Sequence, residues 1–214
     1  SNDSWVLAGG RGPAVIVYDL ATADQIGRFP CSDWVLGLDT CDQTRALTVT
    51  TSDGNVTLWS SDSGNIPDDV EQWQAPTAPN GPASCVQFDP NGNFLIVGHH
   101  SGRLRVWRLK ESRPTGEVRL TSAPFSSWVN DVAISATGQH AAAASSDGRV
   151  RFFDTRSWEE VRPELTHDSV VTAIRFADSN RAITAAENGT VRTWTVPSAL
   201  QAGVDSTIWT IALD

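Results

Sequence analysis

The fold is decided by His167-Asp-Ser-Val-Val-Thr-Ala-Ile-Arg-Phe176, Ala177-Asp-Ser-Asn-Arg181, Ala182-Ile-Thr-Ala-Ala186, Glu187-Asn-Gly189 and Thr190-Val-Arg-Thr-Trp194, which follow one another without a break. The first segment alternates apolar and polar residues over its second half, the pattern of a half-buried strand. Ala177 to Arg181 is a turn cluster, and Ala182 to Ala186 reads as a second strand. Asn188-Gly189 tolerates the positive φ of a tight hairpin turn, so a third strand follows over Val191 to Val196. Three strands joined this way make an antiparallel meander, which a less regular fourth strand completes.

The hairpin glycine and the aromatic that ends the third strand recur along the chain. The copies are Gly12-Pro-Ala-Val-Ile-Val-Tyr18, Gly54-Asn-Val-Thr-Leu-Trp59, Gly102-Arg-Leu-Arg-Val-Trp107, Gly148-Arg-Val-Arg-Phe-Phe153 and the stretch ending at Trp194. The steps between aromatics are 41, 48, 46 and 41 residues, the period of a propeller blade. Earlier first strands read as Trp34–Leu38, Ser84–Phe88 and Trp128–Ile134, and second strands as Ala46–Thr50, Phe94–Gly98 and Ala141–Ala144. Fourth strands are expected at Gln25–Phe29, Val70–Gln74, Gly116–Leu120 and Val161–Leu165, with an irregular stretch from Ala75 to Pro82.

The chain opens in a second strand, Trp5–Gly9, and its last segment, Ser206–Asp214, aligns on the first strand Ser169–Phe176. Pairing the two would close a ring and remove both sheet edges. The expectation is an all-β propeller of five four-stranded blades in a single domain, its first blade closed by the C-terminal strand. The repeats fall at about 1–30, 31–75, 83–121, 126–166 and 167–205, with 206–214 as the closing strand. A monomer of this kind or a fragment of a longer array both satisfy the pattern.

With 214 residues, 40% hydrophobic and 19% charged, the composition is that of a globular domain able to bury a core. A net charge of -9 opposes binding to a phosphate backbone. Arg103, Arg105, Arg108 and Lys110, and likewise Arg149, Arg151 and Arg156, alternate along strands and read as solvated faces. Three cysteines, Cys31, Cys41 and Cys85, form no CxxC and no even disulfide framework, and read as buried thiols of a reducing, cytoplasmic setting. No apolar run reaches the length that crosses a bilayer as a helix, so membrane insertion is not expected.

These repeats resemble those of the WD40 family over essentially the whole chain. The resemblance rests on four positions in each repeat. His167 matches the family's histidine, where other repeats have Cys31 and Phe125. Thr51 and Ser145 match its hydroxyl residue, where His99 and Ala186 stand elsewhere; Asp53 and Asp147 match its turn aspartate, against Ser101 and Asn188. The tryptophan is kept at 59, 107 and 194, while the closing dipeptide reads Tyr18-Asp19, Trp59-Ser60, Trp107-Arg108, Phe153-Asp154 and Trp194-Thr195. No repeat carries the complete set, so the hydrogen-bonded network that the family uses to pin a blade is expected to be partial.

Catalytic patterns are sparse. His99-His100 are neighbours on a strand and point to opposite faces, which argues against a shared metal. The acidic pairs Asp68-Asp69 and Glu159-Glu160, with Glu71, read as solubilising edge charges. No GxSxG, HExxH or P-loop occurs. No cofactor, metal or catalytic residue is therefore assigned.

The resemblance instead implies a rigid ring that binds a protein or peptide, as one module of a larger protein. In such rings the start of the first strands opens onto one end of the central channel, where partners dock. Trp34 and Trp128 share that position, with Val170 and Thr207 as equivalents, and two residues on lie Leu36, Asn130, Thr172 and Trp209. Trp34, Trp128 and Trp209 are the candidate anchors, with Leu36, Asn130 and Thr172 beside them and Arg103 or Asp131 setting polarity; packing of the rings between blades is the competing reading. A sensor domain of a bacterial NTPase or kinase is the alternative, favoured by 15 arginines against one lysine, and a propeller hydrolase or lyase a minor one.

Overall fold

The computed structural model describes residues 5–41, 46–60, 71–75, 81–111, 113–118, 120 and 123–196. Among them every regular element is a strand, arranged in five antiparallel sheets whose neighbours follow chain order. The first sheet contains β1 (Trp5–Ala8), β2 (Ala14–Asp19) and β3 (Gln25–Pro30). The second contains β4 (Val35–Cys41), β5 (Ala46–Thr51), β6 (Val56–Ser60) and β7 (Glu71–Gln74). The third is β8 (Ala83–Phe88), β9 (Phe94–His99), β10 (Leu104–Lys110) and β11 (Arg113–Val118). The fourth is β12 (Val129–Ile134), β13 (His140–Ser145), β14 (Arg149–Asp154) and β15 (Glu160–Thr166). The fifth shows β16 (Val171–Phe176), β17 (Arg181–Ala186) and β18 (Val191–Thr195).

The repeated glycine has the role expected of it in four sheets. Gly54, Gly102, Gly148 and Gly189 hold φ of 86°, 76°, 82° and 84°, the left-handed region in which an L side chain is strained. Most strand boundaries fall within one or two residues of the sequence reading, and two differ by three. β4 runs on through Asp39, Thr40 and Cys41, because the Asp39 carboxylate accepts a hydrogen bond from the Phe88 backbone N–H at 2.7 Å and is at home within a strand. β11 starts at Arg113, three residues earlier than expected, since Pro114 is tolerated on an outermost strand whose free edge needs no donor. Turn Asp42–Arg45, residue Val70 and the expected closing strand 206–214 lie outside the described residues.

Each consecutive pair of sheets encloses its own apolar core. Val15, Val17 and Phe29 of the first sheet meet Leu47, Val49 and Trp59 of the second. Leu58 of the second faces Phe88, Leu95 and Trp107 of the third. Ile96 and Val106 face Phe153 and Trp158 of the fourth, and Phe152 packs with Ile174 of the fifth. The alanine strand β13 shows how these layers fit. Ala141 to Ala144 are fully buried, and Ala141 and Ala142 pair in register with Phe153 and Phe152. Small residues on one strand leave the volume that the bulky rings of the next one fill.

The inner edges of the sheets are β4, β8, β12 and β16, which lie side by side in that order. One side chain from each of three of these strands reaches a backbone N–H of the next. Asp39 accepts from Phe88, Gln87 accepts from Ile134 at 2.8 Å, and Asp131 accepts from Ile174 at 2.9 Å. These bonds run in one direction, so neighbouring sheets are tied by polar contacts as well as apolar cores. Burial raises the carboxyls of Asp39 and Asp131 above the usual aspartate range, against the opposing pull of those N–H donors and of Arg175.

Candidate functional site: the rim of the inner strands

All four inner strands begin with the same irregularity. The register against the second strand slips between Val35 and Gly37, Ala83 and Cys85, Val129 and Asp131, and Val171 and Ala173. The extra residues are Leu36, Ser84, Asn130 and Thr172. A bulge of this kind leaves one residue out of the ladder and re-aims its side chain. Three of the four were nominated from sequence spacing; Ser84 was missed, because a bulge changes no residue type that periodicity can register.

The bulge side chains do different work. Ser84 Oγ donates to Gly98 O at 3.1 Å and also to Val129 O on the next inner strand. Asn130 Nδ2 reaches Val171 O and Ser146 Oγ, both at 2.8 Å, and its Oδ1 accepts from Ser146 Oγ. Thr172 Oγ1 donates to Ala185 O at 3.2 Å. Asn130 therefore staples the fourth sheet to the fifth with the amide that sequence reasoning offered to a partner. Leu36 has no polar atom to spend and stands 42% exposed.

Just ahead of each bulge, a main-chain oxygen ties the rim to the second hairpin turn of its own sheet. Ser52, His100, Ser146 and Glu187 donate their N–H to Trp34, Pro82, Trp128 and Val170 at 2.8–2.9 Å. Trp34 and Trp128 thus occupy equivalent places, and the two residues are 48% and 53% exposed. Trp59, Trp107, Trp158 and Trp194 are at most 5% exposed. Trp34 carries the Arg11 guanidinium 5.5 Å from its ring centre. Trp128 lies parallel to His100, with ring centres 4.2 Å apart and planes at 7°. Each exposed indole is braced on a cation or an imidazole and left half open to solvent. Trp209 lies outside the described residues.

Asp131, proposed as a polarity-setting residue, is instead committed to Ile174 N–H and to the Arg175 guanidinium at 2.5 Å. Arg103 is exposed. The arginine stripes are not uniformly solvated, which corrects the reading from alternation. Arg105 and Arg151 are 7% and 6% exposed. Their Nε atoms meet Glu117 at 2.8 Å and Glu164 at 3.2 Å on the fourth strands, and their guanidinium groups lie over Trp107 and Phe125. Paired and stacked in this way, an arginine can be buried without an uncompensated charge.

Three of the four members of the pinning network meet in the fifth sheet, where Asn188 stands in place of the aspartate, and their hydroxyl lies two residues from the position expected. Thr184, not Ala186, supplies the hydroxyl of the fifth sheet: Trp194 Nε1 donates to its Oγ1 at 2.7 Å, and His167 Nε2 lies 2.7 Å from the same atom. Thr51 and Ser145 serve the turns instead, Thr51 donating to Asp53 at 2.5 Å and Ser145 accepting from Asp147 N–H at 3.2 Å. His99 and His100 diverge as expected: His99 is 1% exposed, and His100 stacks on Trp128. Burial holds the His99 imidazole down at about 4 and pushes the Cys85 thiol up to about 12, so both are neutral near pH 7. Among the described residues, no group of three His, Cys, Asp or Glu side chains is placed to hold a metal ion. No helix among them is long and apolar enough to cross a membrane.

Comparison with known proteins agrees with this geometry. The family model described as WD domain, G-beta repeat matches residues 74–108, 117–154 and 160–195, just over half of the chain. Human angio-associated migratory cell protein is 29% identical over 117 residues, 53% of this chain and 25% of that protein. Periodic tryptophan protein 2 of Saccharomyces cerevisiae is 27% identical over 116 residues, 53% of this chain and 12% of its own length. Protein groucho of Drosophila melanogaster is 26% identical over 147 residues, 68% of this chain and 18% of its own. The matched part thus spans a quarter or less of these relatives. With three matched repeats laid on consecutive antiparallel sheets, the chain belongs to the WD40 family.

Proposed function

We propose that this chain is a non-catalytic platform that binds a protein or peptide segment through the rim bearing Trp34, Leu36 and Trp128, and that it works as one module of a larger protein. The observation that carries this reading is the contrast between two half-exposed indoles at equivalent positions and four tryptophans sealed in the cores. Exposed tryptophan is the residue most often found at energetic hot spots of interfaces. A rim fixed by backbone bonds and staples such as Asn130 loses little freedom when a partner arrives. The net charge of -9 disfavours a nucleic-acid partner.

The reading includes a closed ring of five four-stranded blades, with 206–214 beside β1 and Trp209 brought to the same rim. In support, Arg192 occupies in β18 the place of Arg105 and Arg151, and among the described residues its buried Nε has no partner. In the third and fourth sheets that atom meets a fourth-strand glutamate. Asp205 stands as far beyond Trp194 as Glu164 stands beyond Phe153.

Peptides selected from a random display library on the immobilised protein test the site. Their affinity is expected to fall at least about tenfold in Trp34→Ala and Trp128→Ala, the loss typical of truncating a hot-spot residue, with circular dichroism unchanged. Selected peptides that bind both folded variants as tightly as the parent would remove the rim from the proposal.

A further inference from the structure

A second cleft lies at the other end of the strands, between the third and fourth sheets. β8 starts at the rim and ends at Phe88; the turn that follows it, together with Gln139 and the turn after β14, borders a space of about 300 Å³. Two arginines from different sheets line it, Arg108 of β10 and Arg156 of the turn after β14. Sequence alternation had placed them in two separate basic stripes. Both are exposed, and among the described residues neither makes an ion pair, whereas Arg105, Arg149 and Arg151 of the same two strands all do.

The surroundings explain why these two cations stay unpaired. Asp154, the acid nearest Arg156 in sequence, spends Oδ1 on the backbone N–H groups of Arg156 and Ser157. Asp89, beneath the cleft and 1% exposed, accepts at Oδ2 from the backbone and side-chain nitrogens of Asn93, both at 3.1 Å. Its Oδ1 is buried beside Gly138 and has no hydrogen-bond partner among the described residues. Arg108 is positioned in advance, its guanidinium 5.6 Å from the ring centre of Phe94, which itself packs edge-on against Trp158. The amides of Asn91 and Gln139 add uncharged polar groups to the lining.

We propose that this cleft binds a single anionic oxygen group, a phosphate or a carboxylate, bridged by Arg108 and Arg156. Planar guanidinium forks suit such groups, and two from neighbouring sheets fix an oxyanion more firmly than one. The net charge of -9 disfavours an extended polyanion, so the ligand is a discrete group on a small molecule or on a partner side chain. The site is separate from the indole rim, and losing it leaves that rim intact.

The test is NMR of the arginine Nε–H signals during titration with sodium phosphate, O-phosphoserine and glutamate, at ionic strength matched with sodium chloride. Saturable shifts confined to Arg108 and Arg156 are expected. Arg108→Ala and Arg156→Ala should each weaken binding about tenfold, as for loss of one charge-assisted contact. Arg103→Ala, on the same chain segment but outside the cleft, should leave it unchanged. Saturation by the two phosphates alone assigns a phosphate ligand, and saturation by glutamate alone assigns a carboxylate. Shifts that fail to saturate, or that persist in both cleft variants, would overturn the proposal.

Discussion

Replacing Thr184 by valine keeps the shape of the side chain and removes its hydroxyl. Thr184 is 1% exposed, and its partners Trp194 and His167 are 5% and 8% exposed. The hydroxyl satisfies both at once when it accepts the indole N–H and donates to Nε2 of a neutral imidazole. Burial, reinforced by Arg192, lowers the His167 pKa and so favours that neutral ring. Valine would leave an indole N–H and an imidazole nitrogen unpaired in a closed site, each at a cost of about 1–3 kcal/mol. A loss of about 2–4 kcal/mol is expected, a large fraction of the roughly 5–15 kcal/mol that holds a domain together. Urea unfolding followed by tryptophan fluorescence reads it as a midpoint lowered by about 1 M. Thr184→Ser keeps the hydroxyl and gives up one methyl, so it should lose no more than about 1 kcal/mol. A valine variant within about 0.5 kcal/mol of the parent, or a serine variant as damaged as the valine one, would refute the claim that this hydroxyl pins the sheet.

Two other outcomes follow from polar groups in the cores. His99 is held at about 4 against an ordinary 6.5, chiefly by burial. Its stabilising contribution is therefore complete above pH 6.5, where both states are neutral, and is lost as pH falls from 6.5 towards 4, because only the unfolded chain takes the proton. Over that window the parent should lose up to about 3 kcal/mol through this group, at roughly 1.4 kcal/mol per pH unit. His99→Gln should flatten that limb of the stability profile, and an unchanged slope would discharge His99 from the effect. Gln87→Leu removes the acceptor for Ile134 N–H and should cost about 1–3 kcal/mol, with faster amide exchange at Ile134. Gln87→Glu keeps an acceptor there and should restore protection; equal exchange in both variants would contradict the bond.

Strand order was legible in the sequence because alternation and glycine turns act locally, as in Arg181–Ala186 and Val191–Thr195. What escaped depends on neighbours distant in the chain. Asp39 looks like a strand breaker until Phe88 N–H, from another sheet, is beside it. Arg105 and Arg151 fit a solvated stripe until Glu117 and Glu164 cover them. The hydroxyl of the fifth sheet was sought next to the turn, at Ala186, whereas the side chain that reaches Trp194 lies two residues deeper in β17. At the rim, spacing found Trp34, Trp128 and three of the four bulge residues, but not that Asn130 is already committed to the next sheet.

Two of the matched family segments, 117–154 and 160–195, start on the outermost strand of one sheet and finish on the third strand of the next. Each unit therefore straddles a boundary, handing its first strand back to its predecessor. Copying or deleting whole units conserves the number of strands in every sheet, so such an array can change length by one register without exposing a raw edge. A cut between sheets would instead sever each unit from the strand it lends.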